Sequence, residues 1–184
     1  FYQQMLKTYT IPITTKQITN LYDLWVNNGF ENEKNIDINK NLLSGSEVKS
    51  NKIKLYVYEK AATLLSSAII IINNNNPSIS GVGEVCTSVN YRGKGLANTL
   101  CEKIVDDYFL NNQSRAIFLG TINPVAEKIY KSLGWQMIKN TNVMFNSKNQ
   151  DDFESFLLTY NKPNSTKIIT KGNSDFRISI IPFV

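Results

Sequence analysis

Arg92-Gly93-Lys94-Gly95-Leu96-Ala97 joins an extended run, residues 81–89, to a segment in which Leu96, Ala97, Leu100, Ile104, Val105 and Tyr108 recur at helical spacing. A strand that passes through a glycine turn into a helix leaves backbone N–H groups unpaired at the positive end of the helix dipole, so this turn is a candidate anion site. It matches neither common phosphate motif. A P-loop needs Ser or Thr after Gly-Lys, where Gly95 stands, and a dinucleotide fingerprint needs a third glycine, where Asn98 stands.

Upstream of the turn, residues 52–58 alternate like a strand and residues 62–72 are rich in β-branched side chains, as a buried strand is. The asparagine run 73–76 before Pro77 marks the turn into the strand over 81–89. Further upstream, Ile18, Leu21, Tyr22, Trp25 and Val26 form an apolar helical face that ends at Gly29, while residues 31–51 are polar and show no clear period. Downstream, the helix that opens at Leu96 ends near Asn111, and residues 116–120 read as a short strand. Asn123-Pro124 then supplies an N-cap and a first helical residue; Ala126, Ile129, Tyr130 and Leu133 make the buried stripe, and Gly134 stops the helix. Residues 136–139 and 142–145 read as strands. The order β-β-β-α-β-α-β specifies an α/β domain with a mixed sheet.

The 184 residues, 42% apolar, suit one globular domain. The longest apolar run, residues 61–72, contains Ser66 and Ser67 and falls short of the roughly 18 residues that cross a bilayer, so no membrane partner is expected. With no histidine in the chain, Ser-His-Asp and Cys-His arrangements and any His-containing zinc site are ruled out, and two cysteines do not complete a tetrahedral metal site. Cys86 and Cys101 read as reduced thiols, with one disulfide as the alternative, and the expected location is cytoplasmic. Phe1 in place of Met leads to the expectation of a chain trimmed at its front. The net charge of +5 is spread along the chain: residues 1–60 carry eight basic and six acidic groups, 61–120 four and four, and 121–184 eight and five. Such a diffuse excess lacks the clustered footprint of a phosphate-backbone reader, and no nucleic-acid partner is expected.

Arg92-Gly93-Lys94-Gly95-Leu96-Ala97 resembles the (Gln/Arg)-x-x-Gly-x-(Gly/Ala) signature of the GNAT superfamily of N-acetyltransferases. Asn123-Pro124-Val125-Ala126, Ile129-Tyr130 and Leu133-Gly134-Trp135 resemble the second segment of that family, with Trp135 where Phe is more usual. The likeness covers residues 53–145. It implies a mixed central sheet flanked by helices, with two splayed strands forming an acetyl-CoA cleft, and direct acetyl transfer from this co-substrate to a primary amine through a ternary complex. It further implies that the amides of Gly93, Lys94, Gly95, Leu96, Ala97 and Asn98 hold the pyrophosphate, with Arg92 heading the motif and Lys94 adding charge or merely solvated. The backbone of Val85, Cys86 and Thr87 would pair with the pantetheine arm, and Asn123 would bond that arm, cap its helix, or both.

By the same resemblance Tyr130 is the general acid that protonates the departing thiolate; the alternative is one more core residue in the stripe with Ala126 and Leu133. A free tyrosine titrates near ~10 and so can donate at neutral pH. Period-2 alternation puts Glu84, Cys86 and Ser88 on one face of their strand, opposite Val85, Thr87 and Val89, which makes Glu84 the candidate base or an ordinary surface carboxylate. The competing reading is a non-catalytic acyl-CoA sensor or interaction module. The acceptor, a small-molecule or peptide amine, is not specified by any motif. Residues 1–150 are expected to form the acetyltransferase domain. Residues 151–184 form an extension, helical over 153–160 and strand-like over 166–181, that docks on the domain or on a second copy of it in a homodimer, or else begins a further domain.

Overall fold

The third strand, β3 (Thr63–Asn73), is apolar on both sides, and the architecture follows from covering both. Ile69 and Ile71 face one core, Ala68, Ile70 and Ile72 the other. The computed structural model describes residues 5–30 and 36–160. Around β3 lie β1 (Met5–Thr10), β2 (Asn51–Lys60), β4 (Ile79–Thr87), β5 (Ala116–Gly120), β6 (Gln136–Met137) and β7 (Val143–Ser147), in the sheet order β1-β2-β3-β4-β5-β7-β6. Every neighbouring pair is antiparallel except β4 and β5.

One face is covered by α1 (Thr15–Asn27) and α2 (Ile36–Leu43), whose Leu21, Trp25 and Leu43 pack on Ile53, Leu55 and Ile69. Thr14 and Gln17 close a capping box at the start of α1, each satisfying an amide of the other's turn. The opposite face carries α3 (Leu96–Phe109) and α4 (Pro124–Ser132), with Leu100, Ile104, Tyr108 and Tyr130 against Ile70, Val82, Ile117 and Met144. No helix among the described residues is long and apolar enough to cross a membrane.

The mixed α/β sheet expected from the sequence is present, with two additions and several shifted boundaries, those of β4 and of the last two strands (expected over 136–139 and 142–145) among them. β1 adds an edge strand, paired from Met5 with Glu59 to Thr10 with Lys54; its half-exposed side chains leave no strict alternation to read. α2 lies in the polar stretch and contributes the buried pair Leu42 and Leu43. β4 begins at Ile79 and ends at Thr87, so Val89 belongs to a short 3-10 turn over Val89–Tyr91.

The expected helix over 153–160 is α5 (Phe153–Tyr160). Its Phe156, 2% exposed, closes an aromatic cluster with Phe118 and Phe145 at ring separations of 6.4 and 5.2 Å. The strand expected over 166–181 lies outside the described residues. Because Phe156 fills a closed site, Phe156→Ala is expected to destabilise the protein by about 3 kcal/mol, measured as a lowered urea midpoint with an unchanged m-value.

Candidate active site

β4 and β5 are hydrogen-bonded only over residues 79–81 and 116–118, and beyond these the two strands part. An extra residue in β4 bends it there. Against β3, Ser67 pairs with Cys86 and Ile69 with Gly83, so two steps on β3 face three on β4. Glu84 takes up the excess in the left-handed region, with φ of 54°. The expected alternation of Glu84, Cys86 and Ser88 against Val85, Thr87 and Val89 therefore breaks at this bulge. Val82 and Val85, three apart, both pack toward α3 and α4, while Cys86 packs in the core under α1.

The gap opens into a cleft of about 740 Å³ lined by residues 82–87 of β4, residues 119–121, the glycine turn and α4. α3 begins with Gly95 as its N-cap at φ 77°, preceded by Gly93 at φ 74°. A Cβ on either glycine would meet nothing within 4 Å, so the backbone conformation alone demands glycine and the space over the turn is open. No side chain caps this helix, and Leu96, Ala97 and Asn98, whose first-turn amides lack intrahelical acceptors, line the cleft.

Arg92, itself part of the lining, braces this wall. Its Nε donates to the Thr87 carbonyl (3.1 Å) and its Nη2 to the Asn28 carbonyl (3.4 Å), while Asn28 Oδ1 accepts from the Val89 amide (2.7 Å). The end of α1, the end of β4 and the turn are thus held together. Lys94 is the one expected site residue outside the cleft lining: its ammonium donates to the Asn90 carbonyl (3.2 Å) and lies 4.5 Å from the Tyr91 ring centre.

Asn123 caps α4, its Oδ1 accepting from the Val125 amide (2.9 Å), and also lines the cleft, so the two expectations for it coexist. Tyr130, 5% exposed, packs on Trp135 with ring centres 6.0 Å apart and lines the cleft as well. Its hydroxyl has no hydrogen-bond partner among the described residues. Burial, with a smaller contribution from the nearby Cys101 thiol, raises its pKa above the ordinary phenol value, so it holds its proton at neutral pH. Glu84 is half-buried at the bulge and faces the same cleft lining. Cys86 and Cys101 are both free and buried, and burial pushes their thiols up to about 11 and about 12. Neither is a thiolate nucleophile at neutral pH.

The sequence motifs did not identify Asn28, Ser66 or Ser67, all of which hold the walls of the cleft. For the serines a signal existed: two hydroxyls interrupt an otherwise apolar, β-branched run.

A family model described as an acetyltransferase (GNAT) domain matches residues 27–148. No curated protein sequence matches the chain. Among solved structures, the fold is similar to a protein assigned to the GNAT family from Desulfovibrio desulfuricans, at 10% identity over 78% of this chain and 99% of that one, with a TM-score of 0.64. It is similar to an acetyltransferase of the GNAT family from Staphylococcus aureus at 15% identity over 77% and 99%, TM-score 0.56. A variant of the spermidine N-acetyltransferase of Vibrio cholerae matches at 19% identity over 80% and 95%, TM-score 0.57. At these identities the structures attest the fold.

The raised thiols carry a stability prediction. Below the ordinary thiol value of 9.0 both the folded and unfolded chains hold these protons; above it the unfolded chain sheds them first. Stability should fall as pH rises from 9 through about 11 and about 12, and urea unfolding at pH 8 and pH 10.5 should show the loss, reduced in Cys101→Ala.

Proposed function

From the premise that the chain belongs to the GNAT acetyltransferase family, we propose that this acyltransferase passes the acetyl group of acetyl-CoA directly to a primary amine, within a ternary complex. The observation that carries this reading is the junction of two features in one cleft: the strands that part after Gly81 and Phe118, and the uncapped start of α3. Acetyl-CoA supplies a thioester with an electrophilic carbonyl carbon and a sulfur that leaves as thiolate. The residues present suit it. The amides of Leu96, Ala97 and Asn98 and the open side of Gly93 and Gly95 suit a pyrophosphate, and the unpaired edge of β4 over residues 85–87 suits an extended amide-bearing arm.

Glu84 then takes the proton released by the amine as the new C–N bond forms. Tyr130 gives its phenolic proton to sulfur as the C–S bond breaks. Both residues return to their starting states by proton exchange with water. Val85 and its neighbours on β4 orient the reacting carbonyl by backbone donation. The cleft is open enough for an amine carried on a small molecule or a peptide.

Acetyl-CoA at 100 times its Kd should stabilise the fold by about 2.7 kcal/mol, read as a rise in Tm that Gly95→Glu abolishes by placing bulk and negative charge over the turn. Absence of any rise in the unmodified protein at millimolar acetyl-CoA contradicts the reading. Tyr130→Phe keeps the packing and loses the proton, so kcat should drop on the order of 10²-fold with acetyl-CoA affinity nearly unchanged. Unaltered kcat would return Tyr130 to the core.

A further inference from the structure

Ser67 is fully buried on a face otherwise filled by largely apolar side chains, aliphatic and aromatic. A hydroxyl in such a place is costly unless it is hydrogen-bonded. It is bonded twice: the indole Nε1–H of Trp25, itself fully buried, donates to Ser67 Oγ (2.9 Å), and Ser67 Oγ donates to the backbone carbonyl of Glu84 (3.0 Å). A serine hydroxyl has one proton. With Trp25 donating to the oxygen, that proton is committed to the Glu84 carbonyl, and a rotating group becomes a fixed donor.

The carbonyl it fixes belongs to the bulge. The Glu84–Val85 peptide is trans, so its C=O and N–H point in opposite directions across one plane. Holding the Glu84 oxygen against β3 turns the Val85 N–H away from Ser67, to the cleft side of β4. Val85 has no ladder partner on β3 or on β5, and it lines the cleft. Glu84, at φ 54°, lies in a sparsely occupied conformation that persists only where surrounding contacts enforce it.

We propose that Ser67, fixed by Trp25, is a positioning residue that aims the Val85 amide at the thioester carbonyl oxygen, so that a donor is already in place where negative charge grows. The assignment rests on the acetyl-transfer reading above. A donor so aimed needs no reorganisation during reaction, and misplacing it costs rate more than it costs binding.

The test is infrared difference spectroscopy of acetyl-CoA labelled with ¹³C at the thioester carbonyl, bound without an amine acceptor, preceded by a binding titration. Unmodified protein should bind it and shift the carbonyl band to lower wavenumber than in free acetyl-CoA. In Ser67→Ala the band should return toward the free position. Acetyl-CoA affinity should stay within about three-fold while kcat falls on the order of 10²-fold, the split expected when an interaction of the transition state is lost. Trp25→Phe keeps an aromatic ring in the same place and leaves the Ser67 hydroxyl free to rotate, so its band should broaden and lie between the two. It serves as the decisive comparison if Ser67→Ala does not fold. A band that stays shifted in folded, loaded Ser67→Ala, or in Trp25→Phe where that comparison decides, overturns the positioning role and leaves the acetyl-CoA reading standing, as does an unshifted band in loaded unmodified protein. Failure of the unmodified protein to bind acetyl-CoA overturns the functional reading first, and the positioning role with it.

Discussion

One extra residue in β4 governs the site. A parallel pair of strands in the middle of a sheet would ordinarily satisfy each other's backbone groups along their whole length, leaving nothing for a ligand. Here the ladder between β4 and β5 stops after three residues on each strand, because the bulge at Glu84 bends β4 out of register. The unpaired backbone polar groups of β4 then become the wall of a cleft. Two consecutive serines of β3 keep that wall in place: Ser67 bonds the Glu84 carbonyl, and Ser66 Oγ donates to the Cys86 carbonyl at 2.9 Å and also bonds Thr87 Oγ1 at 2.8 Å. Side-chain hydroxyls thus supplement the β3–β4 ladder beside the bulge.

The second wall depends on the first. The Asn28 side chain and the Arg92 guanidinium join the end of α1 to the end of β4 and to the turn that starts α3. Arg92 heads the motif that resembles the family signature, yet both of its hydrogen bonds go to backbone carbonyls. Its positive charge near the turn still favours an anion, but its geometry is that of a brace. Lys94 similarly occupies itself with Asn90 and Tyr91, which leaves the uncapped amides as the chief feature of the turn that suits an anion.

What the sequence made legible was whatever has a short-range cause. Gly93 and Gly95 stand where positive φ is required, Asn123-Pro124 opens α4 by capping chemistry, and the stripe of α3 is buried as its spacing predicts. The bulge had no such signature. A left-handed conformation is usually announced by Gly or Asn, and at position 84 it is adopted by Glu because distant partners, Ser67 and behind it Trp25, enforce it. Strict alternation therefore placed Cys86 with Glu84 on one face, although the extra residue puts a phase slip between Val82 and Cys86. β1 escaped notice for a related reason: an edge strand needs only one well-buried neighbour, and its Lys7, Thr8 and Thr10 carry no core pattern.

The proposed chemistry requires that acetyl-CoA bind in the cleft between β4 and β5. Backbone amide chemical shifts, followed as acetyl-CoA is titrated into isotopically labelled protein, address this directly. Saturable shifts are expected at Val85, Thr87, Leu96, Ala97 and Asn98, with little change along β6 or β1. Shifts confined to other surfaces, or none at these amides at saturation, would contradict binding in this cleft.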